Sequence, residues 1–169
     1  MTGWDAIRAA IEMTLRGERE QGGRAMAACW DVTGEADDAQ RCVLAHYLAD
    51  VQGDLDAEVE WDERALASYV RVGDGDLAEI GIPSARGLAP SLHLNLGDGY
   101  LRQGRLAEAR VQLEAGQLAQ HLLGSGGYAE LVREGLDRLA AKIEAAGAAM
   151  ATPATPVPSA AAPLGGTMT

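Results

Sequence analysis

The sequence predicts an all-α fold, and three observations carry that expectation. Alanine and leucine, both strong helix formers, are abundant, while β-branched residues are sparse. Large apolar residues recur at spacings of three and four, as in Trp4, Ile7, Ile11 and Leu15. Glycine and proline then punctuate the chain between such stretches. With 169 residues, 47% of them hydrophobic, the chain is expected to form one domain with a real core. It has no phenylalanine, so that core must come from Leu, Ile, Val, Ala, three Trp and four Tyr.

Taken in order, the first helix is predicted over 2–16, with Thr2 and Asp5 spaced like a capping box and Gly17 ending it. A second is predicted over 24–32, with Met26 and Trp30 on one side and Gly34 as its stop. Asp37 and Asp38 are N-cap candidates for a third over 38–51, striped by Val43, Leu44, Tyr47, Leu48 and Val51. After the break at Gly53-Asp54, a fourth spans 55–71, anchored by Val59, Trp61, Leu66 and Tyr69. Residues 73–90 read as a loop broken by Gly81, Pro83, Gly87 and Pro90, with a short helix at Leu77–Ile80. Helices follow over 91–102 and 106–122, then a turn from Gly124 to Gly127. The last helix, 128–146, carries Val132, Leu136, Leu139 and Ile143 in a single stripe. That makes about seven helices in a domain of residues 1–149. The remaining residues, 150–169, have no charged side chain and four of the six prolines, so they are predicted to be a disordered tail.

The net charge is −11, and the stretch from Asp31 to Ile80, with fourteen Asp/Glu and three Arg, holds all of the excess. Nucleic-acid binding is therefore disfavoured, because neutralising phosphates needs clustered Lys/Arg. No run approaches the roughly 18 apolar residues that span a membrane. The opening "MTGWDAIRAA" lacks a basic region followed by an apolar run, so no secretory leader is expected and the working place is expected to be the cytoplasm. Cys29 and Cys42 form no CxxC or zinc pattern and read as small buried hydrophobes.

Two segments repeat. "RCVLAHYL" followed by "AEVEW" matches "HLNLGDGY" followed by "ARVQL". Leu44, Ala45, Leu48, Ala57 and Trp61 correspond to Leu96, Gly97, Tyr100, Ala109 and Leu113, each pair fifty-two positions apart. In both, twelve positions separate a small residue from an alanine, and four more lead to a large apolar residue. This pattern resembles the tetratricopeptide repeat, in which such small residues let paired antiparallel helices approach closely. The tryptophan position of that repeat is Arg41 in one copy and His93 in the other, and the proline that ends its second helix is absent. Its usual length is about 34 residues, so the longer spacing implies an insertion of about 18, which 73–90 supplies. A degenerate earlier unit would begin at Trp4, with Ile7 and Ile11 in register and Arg8 at the small position. Gly99 has no role in the pattern; it reads as tolerated, or as a place where something approaches the backbone. The combination of "RCVLAHYLAD", "WDERAL" and "PSLHLNL" is also similar to small tetratricopeptide-like proteins of high-GC Gram-positive bacteria.

The resemblance implies a helix-hairpin array whose final helix caps it, and a non-enzymatic protein-binding role. Its groove positions fall on Cys42, His46, Ala49 and Asp50 in one unit and on Leu94, Asp98, Leu101 and Arg102 in the other, with Asn95 beside them. These are mostly acidic or neutral, which implies a partner with a basic or apolar segment rather than one held by a terminal carboxylate. No cofactor or metal is implied. A competing reading is a small metal-dependent or small-molecule-handling enzyme. His46 and Asp50 lie at i, i+4, and His93 begins the next unit, so the three suggest a His₂-carboxylate set. Against it, there is no HExxH motif, and "GSGG" at 124–127 lacks the lysine of a phosphate loop. A third reading is a homodimer formed through an apolar groove face. Trp61 is expected to serve packing. Asp62 with Arg64, and Glu108 with Arg110, are expected to form local charge pairs.

Overall fold

In the computed structural model, which describes residues 3–151, consecutive helices fold back on each other as three hairpins followed by a last long helix. The hairpins are α1 (Gly3–Leu15) with α2 (Arg19–Val32), α3 (Asp38–Asp50) with α4 (Leu55–Tyr69), and α5 (Ala89–Arg102) with α6 (Leu106–Ala119). Helix α7 (Gly127–Ala151) completes the array, and no strand occurs among the described residues. Short 3₁₀ turns occupy Ala78–Ile80, Ala85–Leu88 and Gln120–Leu122. Within each hairpin the packing is extensive, and α2 meets α3, α4 meets α5, and α6 meets α7. The odd-numbered helices share one side of the array: α1 touches α3, and α5 touches α7.

The hairpins close because small residues stand where the helices cross. A Cβ on Gly97 would lie 3.2 Å from Gln112 Cβ and 3.6 Å from the Ala109 carbonyl oxygen, so α5 and α6 meet nearly backbone to backbone. Ala109 and Ala45 are wholly buried; Ala57, the partner expected for Ala45, is partly buried. In the first hairpin the crossing is Gly22 against Ala10. A Cβ on Gly22 would sit 2.9 Å from the Ala10 carbonyl oxygen and 2.8 Å from the Thr14 backbone nitrogen, and would collide with Thr14 Oγ1. Ala10, Gly22 and the buried Met26 repeat the same intervals of twelve and four, thirty-five positions before Ala45, Ala57 and Trp61. The first hairpin therefore carries the same intervals as the other two, in a register that runs through Ala10 and not through Arg8, which is exposed. Gly99 also has a role. Its Cβ would meet Val59 Cγ2 at 2.7 Å, so it receives α4 where the second hairpin seats on the third.

Several boundaries differ from those predicted. Helix α2 starts at Arg19 and runs through both glycines: Gly22 lies against α1, and a Cβ on Gly23 would meet Val51 Cγ2 at 3.3 Å, at the end of α3. Helix α5 begins at Ala89 with buried Pro90 in its first turn, where a missing N–H costs nothing. Gly17 and Gly104 end α1 and α5 at φ 95° and 76°, a left-handed conformation in which other residues are strained. Asp54 caps α4 by accepting from Ala57 N at 2.9 Å; Asp37 instead accepts from Gly34 N at 3.1 Å, in the turn before α3. Thr2, and with it the expected capping box, lies outside the described residues.

Helix α7 runs to Ala151, so Met150 is helical, and residues 152–169 of the expected tail lie outside the described residues. It is more than a solvating cap. Val132, Leu136, Leu139 and Ile143 are buried in a second core with Val59, Leu96, Tyr100 and Leu113. The first core gathers Ile7, Met26, Leu44 and Leu48 around the insertion residues Leu77 and Ala85. Trp61 is half-buried, meeting Trp30 edge to face at 4.9 Å between centroids. Arg64 stacks over Trp61 and pairs with Glu60 rather than with Asp62. Glu108 pairs with Arg105, not with Arg110.

Replacing Gly22 by alanine tests the first crossing. Alanine gains about 1 kcal/mol of intrinsic helix propensity. The added methyl nevertheless meets backbone atoms that cannot swing aside. We expect a net loss of about 1–3 kcal/mol in urea denaturation. A more stable variant would contradict the crossing.

Candidate functional site

Two clefts open between the odd-numbered helices. The larger, of about 770 Å³, lies under the insertion, between Ile7 and Ile11 of α1, Val43 and Tyr47 of α3, and Ile80 and Ile82. Leu122 and Tyr128 close its far wall. The smaller, of about 260 Å³, is polar and lies between Asp50 of α3, Glu58 of α4, Asn95 and Asp98 of α5, and Lys142 of α7. His46 lines the first cleft and Asp50, one turn on, lines the second, so α3 joins them.

The insertion is held firmly over the larger cleft. Leu77 is wholly buried in the first core, and Arg8 donates to the Glu79 carbonyl at 3.0 Å. Ser84 Oγ donates to Asp74 Oδ1 at 2.6 Å, and Ala85 N to the Asp74 carbonyl at 2.9 Å, closing the loop on itself. The Ser84 hydroxyl holds the Asp74 carboxyl below its ordinary range. Tyr128 donates to Ser91 Oγ at 2.8 Å, which fixes the start of α7 against α5.

Around the smaller cleft, charges lock the helices together. Arg102 pairs with Glu58 across the hairpins and with Asp98 at 2.9 Å, and Lys142 reaches Asp98 at 2.9 Å. Beyond it, Tyr100 donates to Glu63 at 2.7 Å while the Arg105 guanidinium covers its ring at 3.9 Å. Burial, with help from Glu63, pushes the Tyr100 hydroxyl up to about 12. Asp50 has much of its side chain in solvent, yet partial desolvation raises its carboxyl.

Two buried polar atoms find no hydrogen-bond partner among the described residues, His46 Nδ1 and Asp62 Oδ1. Desolvation lowers the His46 imidazole, against the pull of Asp50, so the ring is neutral near pH 7. Asp62 is 2% exposed. Burial pushes its carboxyl up to about 8, Asp50 and Glu58 add to the rise, and Arg102 opposes it.

The residues expected to line one groove separate into three groups. Asp50, Leu94, Asn95 and Asp98 meet at the polar cleft, with exposed Arg102 bridging Asp98 to Glu58. His46 belongs to the apolar one. Cys42 and Leu101 turn inward. Cys42 is wholly buried, which pushes its thiol up to about 12, and Leu101 packs on the second core. Leu94 also presses its side chain onto the α7 backbone at Gly135. His93 is not brought to His46 and Asp50: its Nδ1 lies 2.8 Å from Gln112 Oε1 across the third hairpin. No group of three or more His, Cys, Asp or Glu among the described residues is arranged to hold a metal ion.

Residue patterns alone missed the apolar cleft, because Ile80, Ile82 and Tyr128 sit in or beside loops whose path no periodicity reveals. Asp62 did leave a signal. It falls between Val59 and Leu66 at the spacing of the α4 stripe, an acid where an apolar residue belongs. Comparison with protein-family models, curated proteins and solved structures finds no match. No helix among the described residues is long and apolar enough to cross a membrane.

Asp62 sets a pH dependence. Its carboxyl holds a proton in the fold up to about 8, far above its ordinary 3.8. Its contribution to stability is thus fully present below 3.8 and is lost as pH rises through about 8. His46, held below its ordinary 6.5, acts in the opposite sense and only under that pH. Urea denaturation is therefore expected to show stability falling between about pH 6.5 and 8.5. Asp62→Asn should remove the fall and add about 1–3 kcal/mol at the alkaline end. The same slope in the variant would assign the effect elsewhere.

Proposed function

We propose that this protein is a non-enzymatic binding module of the tetratricopeptide type, which holds a segment of a protein partner along the face of α1, α3, α5 and α7. The observation that carries this reading is that both clefts fall on that one face, and that it bears acidic groups where α3, α5 and α7 converge. Two further features support it. The twelve-and-four spacing of small and large residues recurs in all three hairpins. The excess negative charge of the chain is concentrated in residues 31–80, and Asp50 and Glu58 of that stretch border the polar cleft. A Lys or Arg side chain suits the Asp50 edge of this cleft, since Asp98 and Glu58 are already paired with Lys142 and Arg102. An approaching basic partner is also drawn by the chain's net charge of −11. As part of the same reading, the module works in the cytoplasm.

Selection from a random peptide-display library with the full chain as bait tests this. Enriched peptides should carry a basic residue, and Asp50→Asn should weaken their binding about tenfold, a loss of ~1.4 kcal/mol. Increasing salt should weaken it further. An absence of enriched peptides, or binding indifferent to Asp50, would count against the reading.

A further inference from the structure

The apolar cleft invites a different guest. Its volume of about 770 Å³ lies within the 300–1,000 Å³ range of small-molecule sites, which are concave, largely apolar and preformed. Unlike an open groove, it is walled by separate stretches of chain: α1, α3, the 80–88 part of the insertion, and residues 122–128. The insertion is pinned by buried Leu77, by Arg8 on the Glu79 carbonyl and by the Asp74–Ser84 turn, so the cleft has its shape before any guest arrives.

Charge narrows the guest further. Arg8 and Glu12 line the cleft one helical turn apart, with opposite signs. The other wall residues are apolar or neutral, with His46, Tyr47, Ser84 and Tyr128 as the polar ones. Arg8 already donates to the Glu79 carbonyl and Glu12 already pairs with Arg16 at 3.9 Å, so a net charge on the guest would lose its hydration for a counter-charge that is engaged elsewhere. Large apolar side chains, by contrast, are left incompletely covered there: Leu15 is 72% exposed and Tyr128 56%, with Ile11, Ile80 and Ile82 only partly buried. Such surface gains from apolar contact in proportion to the area removed from water.

We propose that the cleft beneath the 80–88 insertion is a binding site for a small, uncharged, predominantly apolar molecule, oriented by the polar edges of His46 and Tyr47. This site shares the α1–α3 stretch of the face with the segment-binding reading but leaves Asp50, Asn95 and Asp98 uncovered, so the Asp50→Asn test and the cleft-filling variants report on the two readings separately.

The test uses the full chain and the uncharged fluorophore N-phenyl-1-naphthylamine. Its emission should rise saturably, with one molecule bound per chain. Ile11→Trp and Ile82→Trp, each filling the cleft from a different wall, should weaken binding at least tenfold while circular dichroism shows the helices intact. Val111→Trp, on the exposed face of α6, should leave the affinity unchanged. Decanol should displace the probe, and decanoate and decylammonium should do so at least tenfold less well. Non-saturable binding overturns the proposal, as does binding that both folded cleft-filling variants retain. Equal competition by the charged and uncharged ten-carbon chains overturns the assignment of an uncharged guest. If one variant fails to fold, the other decides.

Discussion

The close crossing of paired helices at small side chains is the constraint on which the rest of this structure depends. Ordinary helix pairs stand about 8–10 Å apart, set by the side chains between them. Here Gly22 lies on the α1 backbone, and Gly97 lies against Ala109 and Gln112. Such contacts leave little freedom in how each hairpin closes. They also let a chain without phenylalanine fill its interior with Leu, Ile, Val and Ala, because tightly crossed helices leave less volume to fill.

Hairpin geometry then determines what the odd-numbered helices present. Gly99 accepts Val59 and so seats the second hairpin on the third, and Gly135 accepts Leu94 and so seats α7 on α5. Tyr100 with Glu63, and Arg102 with Glu58, tie the same junction by polar contacts. The exposed Arg102–Glu58 ion pair contributes little stability. The effect of these contacts is on position: they hold the acid-bearing cleft open between α3, α5 and α7. At the other end the insertion spans what would otherwise be an open face. The face is therefore divided into a larger apolar cleft and a smaller polar one that meet at α3.

Much of the fold was legible in the residues, for a physical reason. Helix periodicity and glycine breaks are local properties, so α1, α3, α4 and α6 lie close to where their stripes placed them. The errors occurred where tertiary contact overrode local preference. Gly22 and Gly23 disfavour a helix locally, yet α2 runs through them because Gly22 lies on α1 and Gly23 on Val51. A register counted from Trp4, Ile7 and Ile11 puts Arg8 at the small position, whereas the intervals from Ala10 to Gly22 to Met26 match those of the later hairpins. The site was less legible. Cys42 lies on the right helix yet faces the core, which a repeat register alone does not tell. His93 was grouped with His46 and Asp50 by chain position, whereas Gln112 on α6 engages it. The apolar cleft depends on the path of the 73–88 loop, and Asp62 is a buried acid that interrupts an otherwise apolar stripe.

Nuclear Overhauser contacts across the three crossings test this account most directly. It predicts direct cross-peaks from the Gly22 α protons to Ala10, from the Gly97 α protons to Ala109, and from the Ala45 methyl to Ala57, all in one folded species. A helical protein lacking these cross-peaks, or showing them in only one hairpin, would contradict it.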